Sequence, residues 1–136
     1  TLKGHLADEL RSLGHEVIDL GTHSADRVDY PDFGAAVGRS VAGGEAELGV
    51  CVCGSGIGIA MAANKIPGIR AATVHDATSA RLAREHNDAN VLCLGERLVD
   101  PEVASEAVRA WLGAEFEGGR HIGRVAKLAE LDGSGT

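Results

Sequence analysis

Short apolar runs of strand length alternate with amphipathic stretches of helical length along the chain, and this alternation limits the folds open to it. The runs 16–20, 48–53, 69–74 and 91–94 include near-continuous apolar segments typical of strands buried on both faces. Strands separated by helices form a parallel sheet with helices on both sides and right-handed crossovers. The pattern therefore predicts one doubly wound, three-layer α/β domain over residues 1–136.

Local signals mark where the helices begin and end. Leu2, Leu6, Leu10 and Leu13 recur at helical spacing, and Gly14 stops the run, as a glycine just beyond a helix commonly does. Prolines near the first helical position and an aspartate at an N-cap position mark where further helices begin. Helices are predicted over 2–13, 30–43, 58–65, 76–86, 101–115 and 120–131, with a polar loop over 21–29.

Composition and charge argue against several classes of protein. The net charge is −7 and only 3% of the residues are aromatic. A nucleic-acid partner is disfavoured, because phosphates need basic surfaces and single strands need stacking rings. No apolar run approaches the roughly 20 residues of a membrane span. Cys51, Cys53 and Cys93 are odd in number and lie in apolar stretches, which favours reduced thiols in a cytoplasmic protein.

The segment from Cys53 to Gly58, with the sequence CGSGIG, follows an apolar strand and opens a predicted helix. Ligands of open α/β sheets bind beyond the carboxyl ends of the strands, and the glycines would let backbone amides approach such a ligand. A cysteine here could act as a general base or a nucleophile. A tight turn beside a small buried cysteine is the alternative. The spacing matches neither the phosphate-loop nor the dinucleotide-binding glycine motif.

His86 and Asn87 end a predicted helix just before the 91–94 strand. A histidine there is either an acid–base group or a cation that caps the helix. Asn87 either contacts a ligand or supplies turn geometry. Tyr30, in an Asp-Tyr-Pro turn, is either a pocket residue or a packed ring. The residues alone leave each of these pairs of interpretations open.

Arginines form the remaining candidate group. Arg120 and Arg124 lie four apart on one face of a predicted helix, and Arg97 follows a strand. In an acidic chain such a cluster indicates a phosphate site, although a basic face paired with acidic neighbours is the alternative. Cys51 and Cys53 face one side of a strand, but without a second pair of ligands they do not predict a metal site.

These parts together suit one kind of chemistry. A thiolate base, an amide cradle, an acid–base histidine and a phosphate clamp fit proton transfer beside the carbonyl of a phosphorylated small molecule. The base removes the C2 proton, the donors hold the developing oxyanion, and the fixed charge holds the phosphate. The residues therefore favour an enediol mechanism.

The motifs resemble those of the ribose-5-phosphate isomerase type B family, which includes the allose- and galactose-6-phosphate isomerases. The likeness covers nearly the whole chain in order. The matching stretches are VIDLGT at 17–22, DYP at 29–31, VAGGE at 41–45, VCGSGIGI at 52–59, AANK at 62–65, GIRA at 68–71, EHNDAN at 85–90 and FEGGRH at 116–121. The resemblance implies a Rossmann-like sheet, isomerisation of ribose 5-phosphate, and no metal or organic cofactor.

The same resemblance assigns roles to the candidate residues. By it, Cys53 would move a proton between C2 and C1, Ser55 would relay the hydroxyl proton, and His86 would open the furanose ring with Asn87 beside it. The remaining assignments are enediolate-binding amides at Gly54, Gly56, Ile57 and Gly58, a pocket wall at Tyr30, and a phosphate site at Arg97, Arg120 and Arg124.

Family members are homodimers in which the Cys loop of one subunit meets the His and Arg residues of the other. We expect the same arrangement here, and the resemblance leaves further pairing into tetramers open. A six-carbon sugar phosphate as substrate, or a non-catalytic sugar-phosphate-binding subunit, are the alternatives. A nucleotide-binding module is disfavoured by the glycine pattern.

The start of the chain departs from the family pattern. Members begin with a strand ending in an Asp-His pair that touches the sugar, whereas this chain begins within a predicted helix. In the expected strand order 2-1-3-4-5, that strand lies between the 16–20 and 48–53 strands. Its loss would leave two apolar edges, so we expect the natural protein to be longer.

Overall fold

Helices and strands alternate between residues 30 and 113, and a further helix lies on either side of this region. A computed structural model describes residues 1–21 and 29–133, so most of the polar loop predicted over 21–29 lies outside the described residues. The elements are α1 Leu2–Ser12, α2 Tyr30–Ala42, β1 Gly49–Cys53, α3 Ile57–Ala63, β2 Ala71–Thr73, α4 Ala77–Asn87, β3 Val91–Gly95, α5 Pro101–Gly113 and α6 His121–Asp132. None of these helices is long and apolar enough to cross a membrane.

The three strands form one parallel sheet in which β3 lies between β1 and β2. The predicted order, which put the 69–74 strand between the other two, is therefore wrong. Burial explains the difference, because every residue of β3 is buried, whereas β2 is three half-buried residues long. A central strand must be apolar on both faces, and among the described strands β3 meets that condition best.

Helices cover both faces of this sheet, which confirms the predicted doubly wound, three-layer, Rossmann-like α/β architecture. Successive side chains of a strand point to opposite faces. Val91 and Cys93 of β3 pack with residues of α2 and α3, whereas Leu92 and Leu94 pack with residues of α1, α4 and α5. The chain passes from β1 beyond β3 to β2 through α3, then returns to β3 through α4. Right-handed crossovers in opposite directions place these two helices on opposite faces.

The strand predicted over 16–20 is not formed. Residues 15–20 make no ladder with the sheet, and Ile18 and Leu20 are 47% and 36% exposed. Apolar content alone does not make a strand, because its backbone groups need a neighbouring strand to pair with. The predicted order placed another strand between this segment and β1, and no segment of the described chain takes that position.

Both ends of α4 are fixed by local contacts. Asp76 caps the first turn by accepting a hydrogen bond from the Ser79 N–H at 2.7 Å, and Ser79 lowers the pKa of Asp76. At the other end Asp88 has a φ of +48°. Arg84 and Arg70 lie 3.1 and 3.5 Å from the Asp88 carboxylate. The last turn of α4, which carries two predicted site residues, is therefore held in place.

Candidate active site

The loop 54–56 crosses the carboxyl end of the central strand, and glycines allow that close approach. Gly56 has a φ of +77°, a left-handed conformation that favours glycine. A Cβ atom on Gly56 would lie 2.9 Å from the Leu94 carbonyl carbon. Gly95 faces the Ser55 backbone, also without room for a side chain. The loop amides are thereby brought to the edge of the sheet where ligands bind.

Cys53, the last residue of β1, is held at the start of this loop. Its Sγ accepts a hydrogen bond from the Gly56 N–H at 3.2 Å, and the Ser55 hydroxyl accepts one from the Ile57 N–H at 3.2 Å. The Thr73 hydroxyl, at the end of β2, donates to the Gly56 carbonyl at 2.7 Å. These contacts fix the thiol and the loop as one unit, with an N–H donor aimed at the sulfur.

A cavity of about 640 Å³ opens beside the thiol, a size that suits a small ligand. Met61 and Leu98 add apolar walls that the sequence analysis missed; both side chains are exposed. The remaining lining consists of residues predicted for the site: Tyr30, Cys53, Gly54, Ser55, Ile57, Gly58 and Arg97. The structure therefore brings one half of the predicted site together, except for Gly56, which does not line the cavity.

Tyr30 and Arg97 reach this cavity because glycines lie beneath them. A Cβ atom on Gly54 would lie 3.3 Å from Arg97 Cζ, and one on Gly58 would lie 2.5 Å from Tyr30 Cε1. The Arg97 N–H also donates to the Gly54 carbonyl at 3.1 Å, which ties the segment after β3 to the loop. The exposed guanidinium gives this end of the sheet a local positive charge suited to an anion.

His86 lies elsewhere, in a cluster with Glu117 and His121 that we call the His86 cluster. Its Nε2 is 3.3 Å from Glu117 Oε1, and its ring stacks on that of His121 with centroids 4.4 Å apart. His121 is 6% exposed, and its burial, with the charges of His86 and Arg120, lowers the pKa of His121. Glu117 and His121 were not predicted as site residues, because Glu117 precedes α6 and no helical spacing relates the two.

The other predicted residues of this half lie around the His86 cluster. Arg120 precedes the first turn of α6 and Arg124 lies one turn further, and both are exposed. Asn87 ends α4 and lines a second cavity of about 440 Å³, which Asn64 and Arg70 also line. Histidine, amide and guanidinium groups are thus grouped at the junction of α4 and α6.

The His86 cluster and Cys53 lie at opposite ends of the sheet. The Gly49 N–H donates to the Asn90 carbonyl at 2.9 Å, so the segment after His86 lies beside the start of β1. Cys53 is at the other end of that strand, about 13 Å away at roughly 3.3 Å per residue. Within one chain the structure does not bring His86 to Cys53.

Two groups of side chains invite comparison with metal sites. The ligand atoms of the His86 cluster lie within 4.8 Å of one another, but its rings are inclined by only 13°. The two ring planes are nearly parallel, whereas two histidines that share a metal ion each hold it near the ring plane at about 2.0–2.1 Å. Cys51 is buried beside Cys93, and the hydrogen bond between these thiols, together with burial, raises the pKa of Cys93.

The chain is similar to proteins of one known family. The family model described as Ribose/Galactose Isomerase matches residues 1–128. Ribose-5-phosphate isomerase B of Escherichia coli (strain K12) is 48% identical over 131 residues, which are 96% of this chain and 88% of that protein.

Solved structures give the same result. Clostridium thermocellum ribose-5-phosphate isomerase B is 52% identical with a TM-score of 0.95, covering 99% of this chain and 91% of its own. Ribose-5-phosphate isomerase B from Mycoplasma genitalium, solved with bound ribulose 5-phosphate, is 40% identical with a TM-score of 0.93, covering 97% and 88%. The chain described here therefore belongs to the ribose/galactose isomerase family.

Proposed function

We propose that this protein is an aldose–ketose isomerase that interconverts ribose 5-phosphate and ribulose 5-phosphate. The observation that carries the proposal is the Cys53 thiol beside a cavity lined by the glycine-rich loop and Arg97. A base, an oxyanion site and a cation around one small cavity are what proton transfer through an enediolate needs. Family membership supports the same activity, because the relatives described above are ribose-5-phosphate isomerases.

The proton transfer is assigned to the CGSGIG loop. The Cys53 thiolate removes the proton from C2 of the open-chain aldose, and that electron pair forms the C1–C2 double bond while the C1 oxygen becomes negative. The loop amides stabilise this oxygen, and Ser55 relays the C2 hydroxyl proton to it. The C2 carbonyl then forms as the Cys53 thiol returns its proton to C1. The isomerisation needs no co-reactant.

Ring opening and phosphate binding are assigned to the remaining residues. His86 takes the proton of the C1 hydroxyl and delivers it to the ring oxygen, with Asn87 beside the sugar. Tyr30 forms a wall of the pocket. The phosphate is held by Arg97, Arg120 and Arg124, because guanidinium groups bind phosphate in a bidentate manner.

The two halves of this site are proposed to meet across a homodimer. Cys53 and the His86 cluster lie at opposite ends of the sheet in one chain, so a single subunit cannot apply both to one sugar. In a symmetric dimer, Cys53 of each subunit would meet the His86 cluster of the other subunit, giving two equal sites.

Subunit mixing tests this arrangement. Cys53→Ala and His86→Ala proteins should each be inactive alone. After subunit exchange at equal concentrations, half of the dimers carry one intact site, and roughly a quarter of the wild-type activity should return. The matched control mixes Cys53→Ala with the Cys53→Ala, His86→Ala double variant, which offers no intact site. Failure of the first mixture to recover activity after confirmed exchange would refute the shared site.

The substrate is tested by a coupled assay across ribose 5-phosphate, allose 6-phosphate and galactose 6-phosphate. We expect kcat/KM to be highest for ribose 5-phosphate. A higher value for a six-carbon sugar would replace the pentose assignment, and the matching family description includes galactose isomerases. Binding without turnover of any of the three would instead indicate a non-catalytic sugar-phosphate-binding subunit.

A further inference from the structure

Glu117 lies in the segment that joins α5 to α6, and this segment is tied to the end of α4. The Glu117 N–H donates to the Glu85 carbonyl at 2.9 Å. This backbone contact places the Glu117 side chain beside His86, so that Oε1 lies 3.3 Å from Nε2. The carboxylate is therefore aimed at one particular nitrogen of the ring by a fixed stretch of main chain.

His121 holds the same ring from a second direction. It is the first residue of α6, is buried, and stacks face to face on His86 with an interplanar angle of 13°. The stack fixes the plane of the His86 ring, and the contact with Glu117 fixes which edge of the ring faces the carboxylate. The second nitrogen of His86 is Nδ1, and the His86 side chain is about one-third exposed.

We propose that Glu117 is a positioning residue that fixes the tautomer of His86, with the proton on Nε2 and the lone pair on Nδ1. A carboxylate accepts hydrogen bonds and cannot donate one, so a proton is stabilised on Nε2, the His86 nitrogen that lies 3.3 Å from Glu117 Oε1. The catalytic part of this proposal rests on the proposed function. Nδ1 is the atom that takes up and returns a proton during ring opening.

The ring-opening step can then be written atom by atom. The Nδ1 lone pair takes the proton of the C1 hydroxyl, and the electron pair left on that oxygen forms the C1 carbonyl. The bond between C1 and the ring oxygen breaks, and its electron pair stays on the ring oxygen. Nδ1 then delivers its proton there, while Glu117 holds the Nε2–H throughout. The Glu117 carboxylate, which is about half exposed, thus orients the ring, the role that an aspartate has for its histidine in a catalytic triad.

Nitrogen-15 NMR of the imidazole ring tests the tautomer directly, without reference to activity. Wild-type protein should show His86 protonated on Nε2 when neutral. Glu117→Ala should shift His86 towards a mixture of tautomers, and Glu117→Gln should retain Nε2–H in part, because its amide oxygen still accepts. Glu115→Gln, an exposed residue two positions earlier, is the matched control and should leave the His86 signals unchanged. An unchanged tautomer in Glu117→Ala would overturn the positioning role.

Kinetics on ribose 5-phosphate tests the catalytic part. We expect Glu117→Ala to lower kcat by about 10-fold or more while KM changes less than about twofold, since acid–base catalysis as a whole contributes about 10²–10⁴-fold. Glu117→Gln should recover part of the loss. A kcat equal to that of Glu115→Gln would overturn the catalytic part. If wild-type protein turned over no sugar phosphate, the proposed function would fail, while the NMR result would still decide the positioning role.

Discussion

The phenol ring of Tyr30 lies directly on Gly58, so close that a methyl group there would be 2.5 Å from Tyr30 Cε1 and 2.9 Å from its hydroxyl oxygen. Tyr30 is 48% exposed, so its ring can swing away when the glycine is replaced. Gly58→Ala should therefore lower kcat/KM by about 10-fold with little loss of stability, because alanine also favours the helix by up to about 1 kcal/mol. Steady-state kinetics and urea unfolding measure both quantities.

A double-mutant cycle identifies the cause of that loss. If displacement of Tyr30 is responsible, Gly58→Ala should have no further effect on kcat/KM in a Tyr30→Ala background. Equal effects in both backgrounds would show that Gly58 acts through the backbone of α3 and not through the ring.

Replacement of Cys53 separates catalysis from binding. Cys53→Ala removes the proposed base and should reduce kcat by about 10²–10⁴-fold, while calorimetry should show ribose 5-phosphate bound within a few-fold of the wild-type affinity. Cys51→Ala is the matched control, since Cys51 lies two residues earlier on β1 and is buried in the core. Cys51→Ala should lower the free energy of unfolding and leave kcat unchanged. Turnover by Cys53→Ala at the wild-type rate would disprove the role of the thiol.

Thr73 is expected to act through the loop that it anchors. Its hydroxyl donates to the Gly56 carbonyl at 2.7 Å, and Thr73→Val keeps the shape while removing the donor. The lost hydrogen bond should cost about 1 kcal/mol of unfolding free energy and lower kcat, because Cys53 Sγ accepts from the Gly56 N–H. Thr73→Ser retains the hydroxyl and should stay close to wild type. If Thr73→Val and Thr73→Ser have the same kcat and the same stability, Thr73 does not act through this hydrogen bond.

The parts of the molecule that the sequence predicts well are those encoded locally. The glycines around Cys53 serve one turn and one strand end, so their spacing alone indicated an amide-lined loop. The continuous burial of 91–95 likewise follows from its residues. Strand order depends on which segments pair. β3 is central because its residues are buried on both faces, and the predicted order did not take that burial into account.

Contacts between distant segments account for what the sequence did not reveal. His86 and Glu117 meet because the segment before α6 packs on the end of α4, and no local pattern encodes that approach. The same holds for the 16–20 segment, whose apolar residues predicted a strand. Strand formation depends on a neighbour as well as on composition, and the described chain supplies none.

His121 should make stability depend on pH. Burial, followed by the charges of His86 and Arg120, lowers its pKa below the ordinary value of 6.5. Below about pH 6.5 the unfolded chain therefore binds more protons at this residue than the folded chain does, so stability falls as the pH falls from 6.5 towards the lowered folded pKa. His121→Phe keeps an aromatic ring stacked on His86 and removes the titration. The urea midpoint of the wild type should drop more between pH 7.5 and pH 5 than that of His121→Phe, and parallel losses in the two proteins would show that His121 does not titrate as its burial requires.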